Sequence, residues 1–497
     1  MRALGWRALL GIGVAEGGCG ERIDPALRAE VEAVVAGAPA RDWSRKGWDP
    51  AAAHNARFAD VAPSERAWPA LARAHALVTR TGVPEAVRVA VNNTPVDEID
   101  WVTLEAWLER AEVREAVGLL LDASSLETLG VRASDATDGV LWEAFGELGL
   151  DRSELVDPAA ATENPDMVSW RSEASGAMRS ATRTLVASGL RAQRSGDSGS
   201  AHAISVARLA RMQRSQGLDL LTARLMGTAM GAAAARLVPG VIEHGSPEEI
   251  AAVLAAFDAV AEDLLVPRYA ASSRAFVEDY LRRVTDDRGH VTTRSMRSSG
   301  IEGSDQLSTP VDVDLTASKQ WSTAAHAMAV VEHALGEVEQ AEREPWRVGM
   351  YRGTNGLEAM LGVLEGNGHV LVLPALAHID RRVLGGLVEA RCIVDGHRVA
   401  LAAALVRAET GGWPAALDGV VGRMRGPLPI DAMTGESLVY RIGPEGPIVY
   451  SRGMDGDDDG GAQGPRLFWI TPAEFGVRSE PERAALDGDW IVFPRAE

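Results

Sequence analysis

Three aspartates at alternate positions, Asp455, Asp457 and Asp459, followed by Gly460, form the densest concentration of chemistry in this sequence. Asp458 fills one gap and Gly456 the other, so four of the five positions from 455 to 459 carry a carboxylate. Alternating carboxylates ahead of a glycine match the opening of a D-x-D-x-D-G loop, in which hard oxygen donors converge on a hard cation such as calcium. The match stops there. The twelfth position, where an EF-hand loop places a bidentate glutamate, is Arg466, and the flanking residues read as strands where an EF-hand has helices. Carboxylates crowded onto one turn repel one another unless a cation or solvent offsets them. Spacing alone therefore leaves two readings, a calcium loop and a solvated acidic turn.

Other chemistry is sparse. The sequence contains no H-E-x-x-H, G-x-S-x-G, S-x-x-K, G-x-x-x-x-G-K-[ST] or G-x-G-x-x-G. The 10 histidines are scattered, and His326 and His333, on one helical face, are two turns apart, too far to share a metal without a third element. Asp286-Asp287 could serve as a carboxylate pair, but the sequence around them, "VTDDRGH", reads as a solvated turn at a helix end. The only two cysteines, Cys19 and Cys392, exclude a disulfide framework and a C-x-x-C centre. No nucleophile or acid-base constellation emerges, and the expectation is a protein that is not an enzyme.

The elements that would hold the acidic loop belong to a long chain. Its 497 residues suffice for two to four domains, with 46% hydrophobic and 24% charged residues, both ordinary for globular proteins. A net charge of -20 disfavours a nucleic-acid partner and adhesion to anionic lipid through a basic patch. The stretch 1–19 has Arg2 and Arg7, an apolar run from Ala8 to Ala15, and small residues before Cys19. That order is the layout of a secretory signal. Its ending resembles the lipobox of bacterial lipoproteins, with Glu16 where an aliphatic residue is usual, and the resemblance implies that Cys19 is the site of lipid attachment. No other segment reaches the length of a spanning helix, so membrane contact is expected only through this N-terminal anchor.

Residues 20–70 read as an extended lead-in that pins Trp43, Trp48 and Trp68 onto neighbouring surfaces. Residues 71–380 read as a helical body. In "TLEAWLERAEV", Leu104, Trp107, Leu108 and Ala111 form one apolar stripe. The stretch from Ala181 to Gln213 reads as two helices joined by Gly196-Asp197-Ser198-Gly199, an αα-hairpin resembling a single tetratricopeptide unit without a second copy. Ser246, Pro247 and Glu249 form a capping box ahead of an apolar face of Ile250, Val253, Leu254, Phe257 and Leu264, and Pro267 ends the helix. Residues 284–315 read as a polar loop. From Arg381 a long helix runs to Gly411-Gly412, followed by a hairpin of Leu438–Ile442 and Ile448–Ser451 and a last strand in "GDWIVFP". The fold class is therefore mainly α: an irregular helical body of αα-hairpins with a small C-terminal α+β module, residues 381–497, containing a short antiparallel sheet.

The tail from about Ala400 resembles the globular part of the major pseudopilin of type II secretion systems. The matching features keep that family's order: "ALVRAE", Trp413-Pro414, Asp431 with Thr434-Gly435, Val439-Tyr440-Arg441, Ile448-Val449-Tyr450-Ser451, Gly453-x-Asp455-Gly456, and Asp489 before Ile491. Ala432 stands where that family has proline, and residues 462–487 form a longer insertion. The resemblance implies a structural calcium ion held by Asp455 and Asp489, with Asp457 and Asp459 as further ligands suggested by their spacing. The helix before the module carries Arg381, Arg382, Glu389, Arg391, Asp395 and Arg398, unlike the apolar stem of a filament subunit. The whole chain is also similar to long, mainly helical bacterial envelope proteins in "NARF", "SGD", "YLRRVTDD" and "REPW". The expectation is an exported, non-catalytic envelope scaffold or binding protein with an unidentified protein or glycan partner. Two other readings are a component of a type II secretion or pilus-like assembly and a hydrolase with an unrecognised site.

Overall fold

The computed structural model describes residues 29, 33–34, 36–39, 41–44, 48, 50–91, 96–131, 139–150, 173–216, 221–290, 323–344, 381–444, 446–453, 456–462 and 489–494. In chain order the helices are α1 (Pro50–Ala56), α2 (Trp68–Thr81), α3 (Glu85–Val91), α4 (Trp101–Leu108), α5 (Ala111–Ser124), α6 (Gly139–Glu147) and α7 (Glu173–Arg194). They continue as α8 (Ser200–Gln216), α9 (Leu221–Ala234), α10 (Val238–His244), α11 (Pro247–Leu264), α12 (Arg268–Val284), α13 (Ala324–Arg343) and α14 (Arg381–Thr410). The strands β1 (Val439–Gly443), β2 (Gly446–Ser451) and β3 (Trp490–Phe493) form one antiparallel sheet in the order β1-β2-β3. The protein is mainly helical with a small C-terminal sheet. Among the described residues, no helix is long and apolar enough to cross a membrane.

Two compact units emerge. The first takes Met1–Pro50, Tyr269–Gln340 and Arg352–Arg381, and the second takes Ala51–Arg268, Ala341–Tyr351 and Arg382–Glu497. In the first unit the lead-in tryptophans find their surface. The Arg282 guanidinium lies over the rings of Trp43 and Trp48, at 5.6 and 4.5 Å from their centroids, and the Trp48 indole donates to Asp279 at 3.0 Å. Gly289 fits against Trp43, where a Cβ would come within 2.6 Å of the ring. Asp286 closes the turn after α12 by accepting from the Arg288 and His290 amides, each at 2.9 Å. That is a turn carboxylate, with its neighbour Asp287 exposed.

In the second unit α2 packs on α5, α6 and α7, while α8 packs on α7, α9 and α11. Ser246 accepts from the Glu249 amide, Glu249 reaches back to the Ser246 amide, and Ile250, Val253, Leu254, Phe257 and Leu264 are buried. The α7–α8 hairpin turns through Gly196 and Gly199, both at positive φ, where glycine adopts the left-handed conformation without a Cβ penalty. Two differences from the sequence reading are physical. A helix, α1, lies inside the segment read as extended. The stripe around Trp107 is broken, because Arg110 takes an extended conformation at φ -61, ψ 139 and restarts the chain as α5. Leu104, Trp107 and Leu108 are buried, whereas Ala111 is exposed. The Trp107 indole donates to the Gly82 carbonyl at 2.8 Å, which fixes the end of α4.

Candidate metal site

The acidic turn is carried by β2 and faced by β3. β1 and β2 pair from Val439↔Tyr450 to Gly443↔Gly446, and β2 pairs with β3 through Val449↔Phe493, Tyr450↔Ile491 and Ser451↔Trp490. The sheet rests on α14 at Gly396 and His397, whose ring meets Phe493 edge-on at 5.6 Å between centroids. The Trp413-Pro414 step lies against the hairpin: Tyr440 donates to the Pro414 carbonyl at 3.0 Å, and the Arg407 guanidinium sits 4.7 Å from the Trp413 ring.

Asp431 governs the exit from β2. It is 1% exposed and accepts from the Met433 amide at 2.9 Å, the Ser451 hydroxyl at 2.8 Å and the Arg452 amide at 3.0 Å. A carboxylate with three donors is well satisfied away from water, and it holds the chain where the acidic turn begins.

Beyond that point the four aspartates divide. Asp455 lies outside the described residues, as does Cys19. Asp457, Asp458 and Asp459 are exposed. Asp458 is the member tied into the sheet: it accepts from the Tyr450 hydroxyl at 2.8 Å, from the Gly460 amide at 3.0 Å and from Arg441 at 3.0 Å. Burial and the Asp458 charge together hold the Tyr450 phenol well above its ordinary range. Reading the sequence missed Asp458, because its partners come from β1 and β2 and no local spacing announces them.

Asp489 is the residue that a cation would serve. It is 0% exposed at the entry to β3. Its amide donates to the Ala462 carbonyl at 2.7 Å, and its Oδ2 accepts from the Gly461 amide at 2.7 Å. Its Oδ1 is buried outside the geometry of a formed hydrogen bond, while the Gly461 and Asp459 amides both favour the ionised carboxylate. Burial, followed by the charges of Asp458 and Asp459, raises its pKa above the ordinary carboxylate value. A desolvated carboxylate oxygen outside hydrogen-bond geometry and beside two further carboxylates is a site whose energy falls when a hard cation binds. A hard oxygen donor of this kind is the type that a cation such as calcium takes. Among the described residues no group of three or more His, Cys, Asp or Glu converges as a ligand set, so backbone carbonyls, water and Asp455 would have to complete one.

Comparison with known protein families, with curated proteins and with solved structures finds no match to this chain.

Proposed function

We propose that this is a non-catalytic, exported envelope protein whose helical body acts as a scaffold or binding surface for a protein or glycan partner, stabilised at its C-terminal module by calcium. The observation that carries the reading is the buried Asp489, whose Oδ1 lies outside the geometry of a formed hydrogen bond beside an acidic, glycine-rich turn. Asp455, Asp457, Asp459 and Asp489 would hold the ion. Its charge would offset carboxylate repulsion and fasten the turn to β3. The pseudopilin-like order of motifs supports the same site, and a structural calcium ion suits an extracytoplasmic address. The signal-like layout ending at Cys19, as lipid attachment residue, supports export.

Calorimetric melting of residues 20–497 in calcium and in chelator tests this. Calcium is expected to raise the melting temperature by several degrees, equivalent to about 1 to 3 kcal/mol of binding free energy. Asp489→Ala and Asp455→Ala are each expected to bring the calcium value down to the chelator value. An equal calcium response in the wild type and both variants would remove the site.

A further inference from the structure

The second unit carries a cavity of about 520 Å³ between the end of α5, the outward face of α8 and one face of α11. Its geometry follows from a parallel packing. Ser200 meets Glu249 at 2.8 Å near the start of both helices, and Arg214 meets Asp263 near their ends, each pair 49 residues apart in sequence. Constant offset at both ends means that α8 and α11 run side by side in one direction, leaving a furrow along their join.

One wall of the furrow is a ladder of small residues on α11: Ala252, Ala255, Ala256 and Ala259. The spacing i, i+3, i+4, i+7 puts them on one helical face, and none is buried. An alanine face lets another helix approach closely, since interaxial distance is set by the side chains at the contact. The other wall presents Arg208 and Arg211 of α8, both exposed and lining the cavity. Neither guanidinium has an ion-pair or hydrogen-bond partner among the described residues. Elsewhere on this unit Arg80 pairs with Glu112 and Arg194 with Glu105, while the exposed Arg179 and Arg425 stand singly; Arg208 and Arg211 differ from these in lying together along one cavity. Two arginines one turn apart repel each other, and the chain's surplus of carboxylates has not been used to neutralise them.

At the α5 end the exposed Glu127 carboxylate lines the cavity, and the other polar groups are already satisfied. Ser124 donates to Ser205 at 2.8 Å, and Gln216 exchanges hydrogen bonds with the Glu127 carbonyl and the Leu129 amide. Nothing there converges on a small ligand in the way a small-molecule site requires. What the furrow offers is a shape for a helix and a charge for acids along one edge.

We propose that this furrow docks an amphipathic helix of a partner protein, its apolar stripe on the α11 alanines and its acidic flank against Arg208 and Arg211. The assignment rests on the binding-protein reading above and names its partner class; it does not depend on the calcium site.

The test uses the full chain and two fluorescein-labelled synthetic helices that share one Leu/Ala stripe, flanked by glutamate in one and by lysine in the other. Anisotropy is expected to show saturable, salt-sensitive binding of the glutamate helix only. Arg208→Glu with Arg211→Glu should weaken that binding by about tenfold or more and shift preference to the lysine helix. Ala256→Trp should block binding of the glutamate helix by filling the furrow. Absence of binding, equal binding of both helices, indifference to charge reversal, or full displacement by millimolar phosphate at constant ionic strength would each overturn the proposal. The paired Arg208→Gln, Arg211→Gln variant carries the same test if charge reversal disturbs folding. An intact calcium response in these variants would show that a failure belongs to the furrow and leaves the calcium site standing.

Discussion

On α2, His75 packs edge-on against Phe145 at 5.7 Å between ring centroids, and burial pushes its pKa down to about 4. The folded state therefore keeps it neutral, while the unfolded chain takes up a proton as pH falls below about 6.5. Between those two values the unfolded state binds more protons, so stability drops with falling pH. His75 as a whole residue is half-buried although its Nδ1 is buried, which makes about 3 kcal/mol an upper bound for the loss. His75→Phe is expected to flatten the dependence of urea-unfolding free energy on pH between 6.5 and 4, and an unaltered slope would assign the loss elsewhere. The same scale shows how far sequence reading reaches. Asp457 and Asp459 stood out because alternation is visible in a row of letters. Asp458 did not, since its meaning comes from Arg441 and Tyr450 on two different strands. Asp489 was reached through a resemblance, and the state of its Oδ1 is a matter of burial that no spacing encodes.

Among the elements, caps and turns were legible because their causes are local. The capping box of α11, the glycine turn between α7 and α8 and the glycine end of α14 each sit within a few residues of what they terminate. The break between α4 and α5 was not, because the apolar period continues across it and an extended residue, Arg110, overrides the pattern. The seat of β3 on α14 is likewise invisible in sequence. A Cβ on Gly396 would come 2.2 Å from Val492 Cγ2 and 2.8 Å from its Cβ, and a β-branched side chain has little room to turn away. Gly396→Ala gains about 1 kcal/mol in helix propensity and would lose about 1 to 3 kcal/mol to overpacking. The expected outcome in urea unfolding is a net loss. A stabilised Gly396→Ala would mean that β3 yields readily at this contact.

Across the whole molecule, the division into two interleaved units was beyond sequence reading, because it depends on which segments return to which core. The C-terminal sheet shares the second unit with α11, and buried charge joins α11 to α14, the helix on which the sheet rests. Arg398 of α14 donates to Asp258 of α11 at 2.8 Å, to Asp395 at 2.7 Å and to the Arg425 carbonyl at 2.9 Å, while the Arg425 amide donates to Asp258 at 3.0 Å. Burial raises the Asp395 pKa, with Arg398 opposing it. Removing one member of such a network costs about 3 to 5 kcal/mol, since a buried charge is left alone. Calcium is therefore expected to increase hydrogen-exchange protection in α11 as well as in β2, and Arg398→Met to confine the gain to the sheet. Protection in α11 that ignores calcium in the wild type would rule out this coupling.

The side-by-side run of α8 and α11 also bears on the order of assembly. Two neighbouring helices that point the same way cannot be joined by a tight turn, so the chain must travel back through α9 and α10 before α11 can dock. Each contact between them closes a loop of 49 residues, whereas α7 and α8 meet across a short glycine turn. Loop-closure entropy grows with the length enclosed, and distant pairings form after local ones. The furrow is thus finished late, by the arrival of α11, and a nascent chain that has made only the α7–α8 hairpin has nothing yet with which to grip a helix.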